Sequence, residues 1–277
     1  MDPQQVPEGV DLERPNAARI YDWALGGSAN WAIDREFGEQ AVKAFPLVRT
    51  LAKVNRDFLA RAVRHCVANG VTQFLDLGSG VPTVGNVHEV AGAVAADSRC
   101  VYVDNEPVAV AHSQVLLEQE GDPRRHAVLG ADLRDVDEVW DGMIDTGVID
   151  PARPIGLLTV AVLHFQPVGS PILDRVREYR ELLAPGSFYL LSHVTESGVD
   201  GDELAQIRSL VKQYDLSSTP AGFRSHEQIL EFFGDFELAE PGLVPVREWR
   251  PEGDSTAPIS CVLGGVARKP LKPEGPR

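Results

Sequence analysis

The segment Asp76-Leu77-Gly78-Ser79-Gly80, directly behind the apolar run Gln73-Phe74-Leu75, constrains the fold more than any other stretch of this chain. An acidic residue closes a short apolar strand, and two glycines then turn the backbone tightly enough for a ligand to lie against it. Residues 83–96 read as the helix that follows. Strand, glycine turn and helix make a nucleotide-binding corner, because a helix N-terminus offers free N–H groups and the positive end of its dipole.

Around that corner the pattern is strand alternating with helix. Strands are expected at 74–77, 99–103, 127–129, 155–162 and 187–192, and helices at 107–119, near 135–139 and at 172–183. The run 155–162 is continuously apolar, as a strand buried on both faces should be. Before the corner lie two short helical patterns, one capped by Asn16 and stopped by Gly26-Gly27, the other capped by Asn30 and ending before Pro46. A longer helix spans 51–68, with Phe58, Leu59, Ala62, Val63, Cys66 and Val67 at helical spacing. After the fifth strand come helices at 203–214 and 226–233, then strands at 237–246 and 259–266 around a polar loop at 250–255. Two adjacent strands joined this way should pair antiparallel. The expected fold class is α/β: a Rossmann-like, seven-stranded sheet of the class I methyltransferase layout, mostly parallel, with helices on both faces, a C-terminal antiparallel hairpin and an N-terminal helical cap. The expected organisation is a tail and helical cap over 1–50, a ligand-binding domain over 51–267 with a lid insertion near 198–224, and a tail over 268–277.

Charge narrows the partners. With 41 acidic against 26 basic residues, the formal net charge of −15 repels phosphate backbones and anionic membranes, so neither a nucleic acid nor a membrane is expected as partner. Cys66, Cys100 and Cys261 are widely spaced in apolar surroundings and read as reduced, buried thiols of a cytoplasmic protein. The N-terminus lacks the basic and apolar regions of a signal peptide.

In an open α/β sheet the ligand sits beyond the carboxyl ends of the strands. The acid at the corner discriminates between nucleotides: a carboxylate two positions before the first glycine repels a pyrophosphate and attracts the ammonium of S-adenosylmethionine (SAM). The dinucleotide pattern would also require glycine at position 83, which is Thr83. After the second strand, Asp104-Asn105 stands where a carboxylate accepts both ribose hydroxyls, although an acid at a strand end also caps helices. After the third, Asp132 can receive the adenine amine while Leu133 packs on the ring; a helix-capping Asp132 is the competing reading. After the fourth comes His164, a candidate to take the proton from an acceptor during methyl transfer, and after the fifth His193; for each, a structural histidine is the competing reading. His88, within the predicted 83–96 helix, reads as outward-facing. No spacing among His, Cys, Asp and Glu resembles a metal site, and none is expected.

Assembled, these residues resemble the actinobacterial S-adenosyl methyltransferase family, of class I fold, once catalogued as a domain of unknown function. The likeness covers residues 14–267. It is carried by Arg14-Pro15, Arg19-Ile20-Tyr21-Asp22-Trp23, Leu25-Gly26-Gly27 with Asn30, and Asp34-Arg35. It continues through Phe74-Leu75-Asp76-Leu77-Gly78-Ser79-Gly80 with Pro82-Thr83, Asn86 and His88-Glu89, and through Tyr102-Val103-Asp104-Asn105-Glu106-Pro107. Ala131-Asp132-Leu133-Arg134-Asp135, Val162-Leu163-His164-Phe165 and Leu191-Ser192-His193 complete it. The resemblance implies SAM binding by the Gly78/Gly80 turn, Asp104 and Asp132, with Tyr21, Gly27 and Asn30 folding over the cofactor as a cap. Pro82 stands where a third glycine is common in the fold, which removes one backbone donor.

The function expected is SAM-dependent methyl transfer to a small-molecule acceptor, with secondary metabolism as its setting. Tyr21, Trp23, Trp31, Tyr214 and Phe223 suit a flat or lipophilic acceptor, or else belong to the core. Two alternatives remain at this level: a SAM-binding regulatory or scaffold protein without turnover, and an NAD-dependent oxidoreductase.

Overall fold

The computed structural model describes residue 7 and residues 9–253 and 257–271. The predicted tails at 1–14 and 268–277 therefore fall partly outside the described residues, as does the end of the predicted 250–255 loop.

Three helices precede the first strand: α1 (Ala17–Ala24), α2 (Ala32–Ala44) and α3 (Val48–Ala68). Asn16 caps α1, its side chain accepting from Ala18 N at 2.8 Å. The cap of α2 is Trp31 rather than Asn30: the Asp34 carboxylate reaches back to accept from Trp31 N at 2.9 Å. Strand and helix then alternate through β1 (Gln73–Leu77), α4 (Val87–Gly92), β2 (Arg99–Asp104), α5 (Pro107–Glu120), β3 (His126–Gly130), α6 (Val136–Asp145), β4 (Gly156–Val160), α7 (Ile172–Leu182) and β5 (Phe188–Val194). Helices α8 (Gly201–Gln213) and α9 (His226–Leu230) lead to β6 (Glu237–Leu238), β7 (Val244–Pro245) and β8 (Val262–Arg268).

One sheet holds all of these strands in the order β3-β2-β1-β4-β5-β8-β6, with β7 also on β8. The pairs among β1 to β5 are parallel, whereas β8 runs antiparallel to β5 from Phe188↔Arg268 to Val194↔Val262. The predicted strand 237–246 is interrupted. Pro241 has no N–H to give a ladder and Gly242 turns at φ +93°, so only Glu237–Leu238 and Val244–Pro245 pair with β8. Counted as one broken strand, they complete the seven-stranded class I arrangement.

Strand alternation divides the core. Phe74, Cys100, Tyr102, Leu158 and Leu190 pack toward α3 and α4, and Leu75, Val101, Leu157, Tyr189 and Leu191 pack toward α6 and α7. Both faces of β1 are thus covered, which is why its sequence is apolar without alternation until Asp76. Cys66, Cys100 and Cys261 are all buried free thiols. Among the described residues no helix is long and apolar enough to cross a membrane.

The helix predicted at 83–96 is the largest departure. Only Val87–Gly92 is helical, and Gly85 at φ +66° breaks the segment before it. Val84 and Val94 are exposed at 65% and 54% and gain nothing from a longer helix.

Candidate active site

The carboxyl ends of β1 to β4, together with α1, α3 and α8, enclose a cavity of ≈ 220 Å³. Gly78 and Gly80 both turn at φ +68°, a region that costs a residue with a Cβ. At Gly78 the approach is also close: a Cβ there would lie 2.2 Å from Val162 Cγ2. The turn is fastened to β2, with Gly78 N and Ser79 N donating to Val103 O at 2.8 and 3.1 Å, and Gly80 N donating to Asp104 Oδ2 at 2.7 Å. The anticipated helix N-terminus contributes nothing here. Helix α4 starts too late to line this cavity, and its own first turn is closed by Asn86 N donating to Glu89 Oε2 at 2.8 Å.

Asp76 lines the cavity, is only 5% exposed, and accepts no hydrogen bond from the described residues. Burial pushes its carboxyl up to about 7; the Arg56 guanidinium draws it back and Asp104 adds repulsion. Arg56 sits on α3, lines the same cavity and forms no salt bridge among the described residues; its buried Nε has no hydrogen-bond partner, and neither has the buried Ser79 Oγ. Asp104 also lines the cavity. Its Oδ1 accepts from Glu106 N at 2.8 Å, and burial raises its carboxyl while these backbone donors oppose the rise. Each oxygen keeps a further lone pair for a ligand hydroxyl.

Asn105, Asp132 and Leu133 line the same end. Asp132 does not cap a helix: α6 is capped at Asp135, and Oδ1 of Asp132 accepts from Arg134 N and Nε, both at 2.9 Å. Oδ2 accepts from Asn105 Nδ2 at 3.2 Å, and the Arg134 pairing holds the carboxyl below its ordinary range.

Of the predicted cap residues, Tyr21 reaches the cavity, its hydroxyl donating to Ala52 O at 3.0 Å and accepting from Asn55 Nδ2 at 3.1 Å. Gly27 and Asn30 do not line it. They hold Asp22 instead: Asn30 Nδ2 donates to Asp22 Oδ2 at 2.7 Å, and a Cβ on Gly27 would fall 1.8 Å from Asp22 Oδ1. Thr83 in turn donates to Asp22 Oδ1 at 3.3 Å, so these two residues tie the cap to the loop beyond the glycine turn.

His164 lines the cavity just after β4, 8% exposed, and its Nδ1 is buried without a partner. Burial, then His193 and Arg224, hold it well below the ordinary histidine value, so the ring is neutral. His193 is fully occupied. Its Nδ1 lies 2.6 Å from Val194 O and its Nε2 accepts from Arg224 Nη1 at 3.0 Å; burial brings it down to about 3, and it takes the structural role. His88 is buried rather than outward, its Nδ1 2.6 Å from Tyr102 Oη.

Asn55, Arg56 and Arg224 were not singled out by sequence reasoning, Glu106 and Phe165 entered only as parts of motifs, and Tyr214 only as an aromatic suited to an acceptor or to the core. For Asn55 and Arg56 a signal existed: Ala52, Asn55, Leu59 and Ala62 recur at helical spacing, so an amide and its charged neighbour interrupt an apolar stripe that faces inward.

The S-adenosyl methyltransferase family matches the chain over residues 3–270. A solved duf574 family protein from Streptomyces avermitilis is 34% identical, with a TM-score of 0.86, covering 93% of this chain and 98% of its own. A solved protein from Thermobifida fusca is 36% identical, again with a TM-score of 0.86, covering 96% and 99%. More distantly, at 17% identity and a TM-score of 0.50 over 95% of this chain and 99% of the other, the fold is shared with a Burkholderia thailandensis N1-methyltransferase solved with S-adenosylhomocysteine (SAH), the demethylated form of SAM. No curated protein matches. The glycine turn, the carboxylates behind it and the match along nearly the whole length agree, and the chain belongs to the S-adenosyl methyltransferase family, with SAM as its cofactor.

Proposed function

We propose that this chain methylates a small-molecule acceptor, secondary metabolism being the setting, and that His164 receives the acceptor's proton. When bound, SAM supplies an activated methyl group on a sulfonium centre. One observation carries the reading: the cavity that contains Asp76, Asp104 and Asp132 at the strand ends runs without a break to His164 and to an apolar wall from α1, α3 and α8. The residues fit the cofactor's zwitterionic end, because an unpaired carboxylate (Asp76) and a guanidinium with an unpartnered nitrogen (Arg56) face the same space. Asp76 takes the ammonium and Arg56 the carboxylate. Asp104, with Asn105 beside it, accepts the ribose hydroxyls; Asp132 and Leu133 take the adenine, and Gly78 and Gly80 let the backbone approach.

The chain's remaining work is alignment and exclusion of water, which supply on the order of 7–11 kcal/mol of a barrier, against about 10²–10⁴-fold from a general base. Arg224 fixes the histidine turn, donating to Leu163 O at 2.9 Å and Gln166 O at 3.0 Å. Release of SAH from SAM in the presence of a mixed acceptor library, read by mass spectrometry, tests the activity. Acceptor-dependent release by the native chain and none by Asp104→Ala is the expected result. SAM binding without release across the library would point to a regulatory or scaffold protein instead. A cytoplasmic setting accords with three buried thiols that form no disulfide.

A further inference from the structure

The charged side chains that line the cavity are unevenly placed. Asp76, Asp104, Glu106 and Asp132 stand at the ends of β1 to β3 or just after them, and Arg56 sits beside Asp76. The rest of the wall is mainly apolar, with Ile20 from α1, Leu59 from α3 and Ile207 and Leu210 from α8, interrupted by uncharged polar side chains such as Asn55 and Gln166. Two aromatic rings close it: Phe165 and Tyr214 are 5.5 Å apart between centroids. His164 lines this region, and its imidazole makes no hydrogen bond among the described residues. Buried polar side chains are ordinarily hydrogen-bonded, so an unpaired imidazole beside a cavity is open to a ligand group.

We infer that the acceptor is an uncharged, flat, mainly apolar molecule whose methylated atom is a phenolic or enolic oxygen hydrogen-bonded to the His164 imidazole. The inference rests on the SAM assignment made above. Charge argues first. An anionic acceptor would enter a cavity lined by four carboxylates with one guanidinium, already assigned, in a protein of net charge −15. A cationic one would have to shed its water against the apolar wall, where no carboxylate lines the space.

The base argues next. Burial, His193 and Arg224 make His164 a weak proton acceptor, matched to an acidic O–H rather than to an aliphatic alcohol. The step balances. An oxygen lone pair forms the new O–C bond as the C–S bond breaks, its electron pair staying on sulfur to give SAH. The acceptor's proton passes to the neutral His164 imidazole and then to solvent. Phe165 and Tyr214 supply the faces on which a planar scaffold stacks.

The test uses the full-length chain and matched probes. SAH binding is first measured by calorimetry. Turnover with SAM is then followed by mass spectrometry for 2-naphthol, 4-hydroxybiphenyl and the enolic 3-hydroxyflavone, against 2-naphthoic acid, 2-naphthylmethylamine and 2-decalol. Methylation of the phenols or the enol, at least about 100-fold faster than of the acid, amine or aliphatic alcohol, is expected. In His164→Gln, kcat should fall about 10²–10⁴-fold, with SAH affinity and acceptor KM nearly unchanged. The variant's rate should recover as pH rises through ionisation of the acceptor itself, a response that a merely structural histidine would not give. SAH binding with faster turnover of the acid, amine or alcohol, or with no turnover of any phenol or enol, overturns this inference alone. Absence of SAH binding overturns it together with the SAM reading.

Discussion

Asp76 is the residue whose ionisation the cofactor must control. In the free protein its buried carboxyl titrates at about 7, and an incoming ammonium competes with the proton for the same oxygens. Affinity for SAM should therefore be greatest between about pH 7 and 8, where Asp76 is ionised and the cofactor's amine is still an ammonium, and weaken about tenfold per unit as pH falls below about 7, by calorimetry; Asp76→Asn should bind weakly with no such acid slope. The same carboxyl is protonated in the folded chain at pH values where the unfolded chain, at the ordinary value of 3.8, has released its proton. The folded state thus loses stability as pH rises from about 4 to about 7, and Asp76→Asn should remove that loss in urea titrations. Arg56 completes the pair. Arg56→Met should cost about 1.5–3 kcal/mol of SAM affinity, and decarboxylated SAM should bind native and variant chains alike.

At the scale of elements, the N-terminal helices are joined to the cofactor end of the sheet through one buried guanidinium. Arg19 on α1 is fully buried; it donates from Nε to Asp34 Oδ2 at 2.9 Å on α2, and from Nη1 to Glu106 Oε1 at 3.1 Å just after β2. Its Nη2 satisfies the carbonyls of Asp11 and Arg14 at 3.0 and 2.8 Å. Removing it leaves two carboxylates with little solvent, so Arg19→Met should lower stability by about 3–5 kcal/mol in chemical denaturation and weaken SAH binding, since Glu106 adjoins Asp104. The element pattern shows what the sequence reveals and what it hides. Strands β1, β2, β4 and β5 and helices α3 and α7 were legible because covered faces force an apolar pattern on them, and α5 because Pro107 suits a first turn. Helix α4 and the β6–β7 break were not, because Gly85, Pro241 and Gly242 interrupt the backbone inside segments that read as continuous. Asn30 and Gly27 stand outside the cavity for a different reason. Both belong to the motif that docks the cap, and docking by way of Asp22 leaves the same mark on a sequence as touching the ligand.

Across the whole molecule, one sheet of fixed order brings Asp76, Asp104, Asp132 and His164 to a single rim although 88 positions separate the first from the last. Those four could be read from strand ends alone, since the ligand side of a wound sheet follows from its handed connections. Arg56 and Tyr214 come from elements outside the alternation, where strand counting gives no guide. Everything proposed for the site requires the nucleoside to hang on Asp104. Calorimetric titration of the full-length chain with SAH is the direct measurement, run beside Asp104→Ala shown to be folded by circular dichroism. One saturable site per chain, absent in the variant, is the expected result. No heat from the native chain, or the same heat from both, would contradict it.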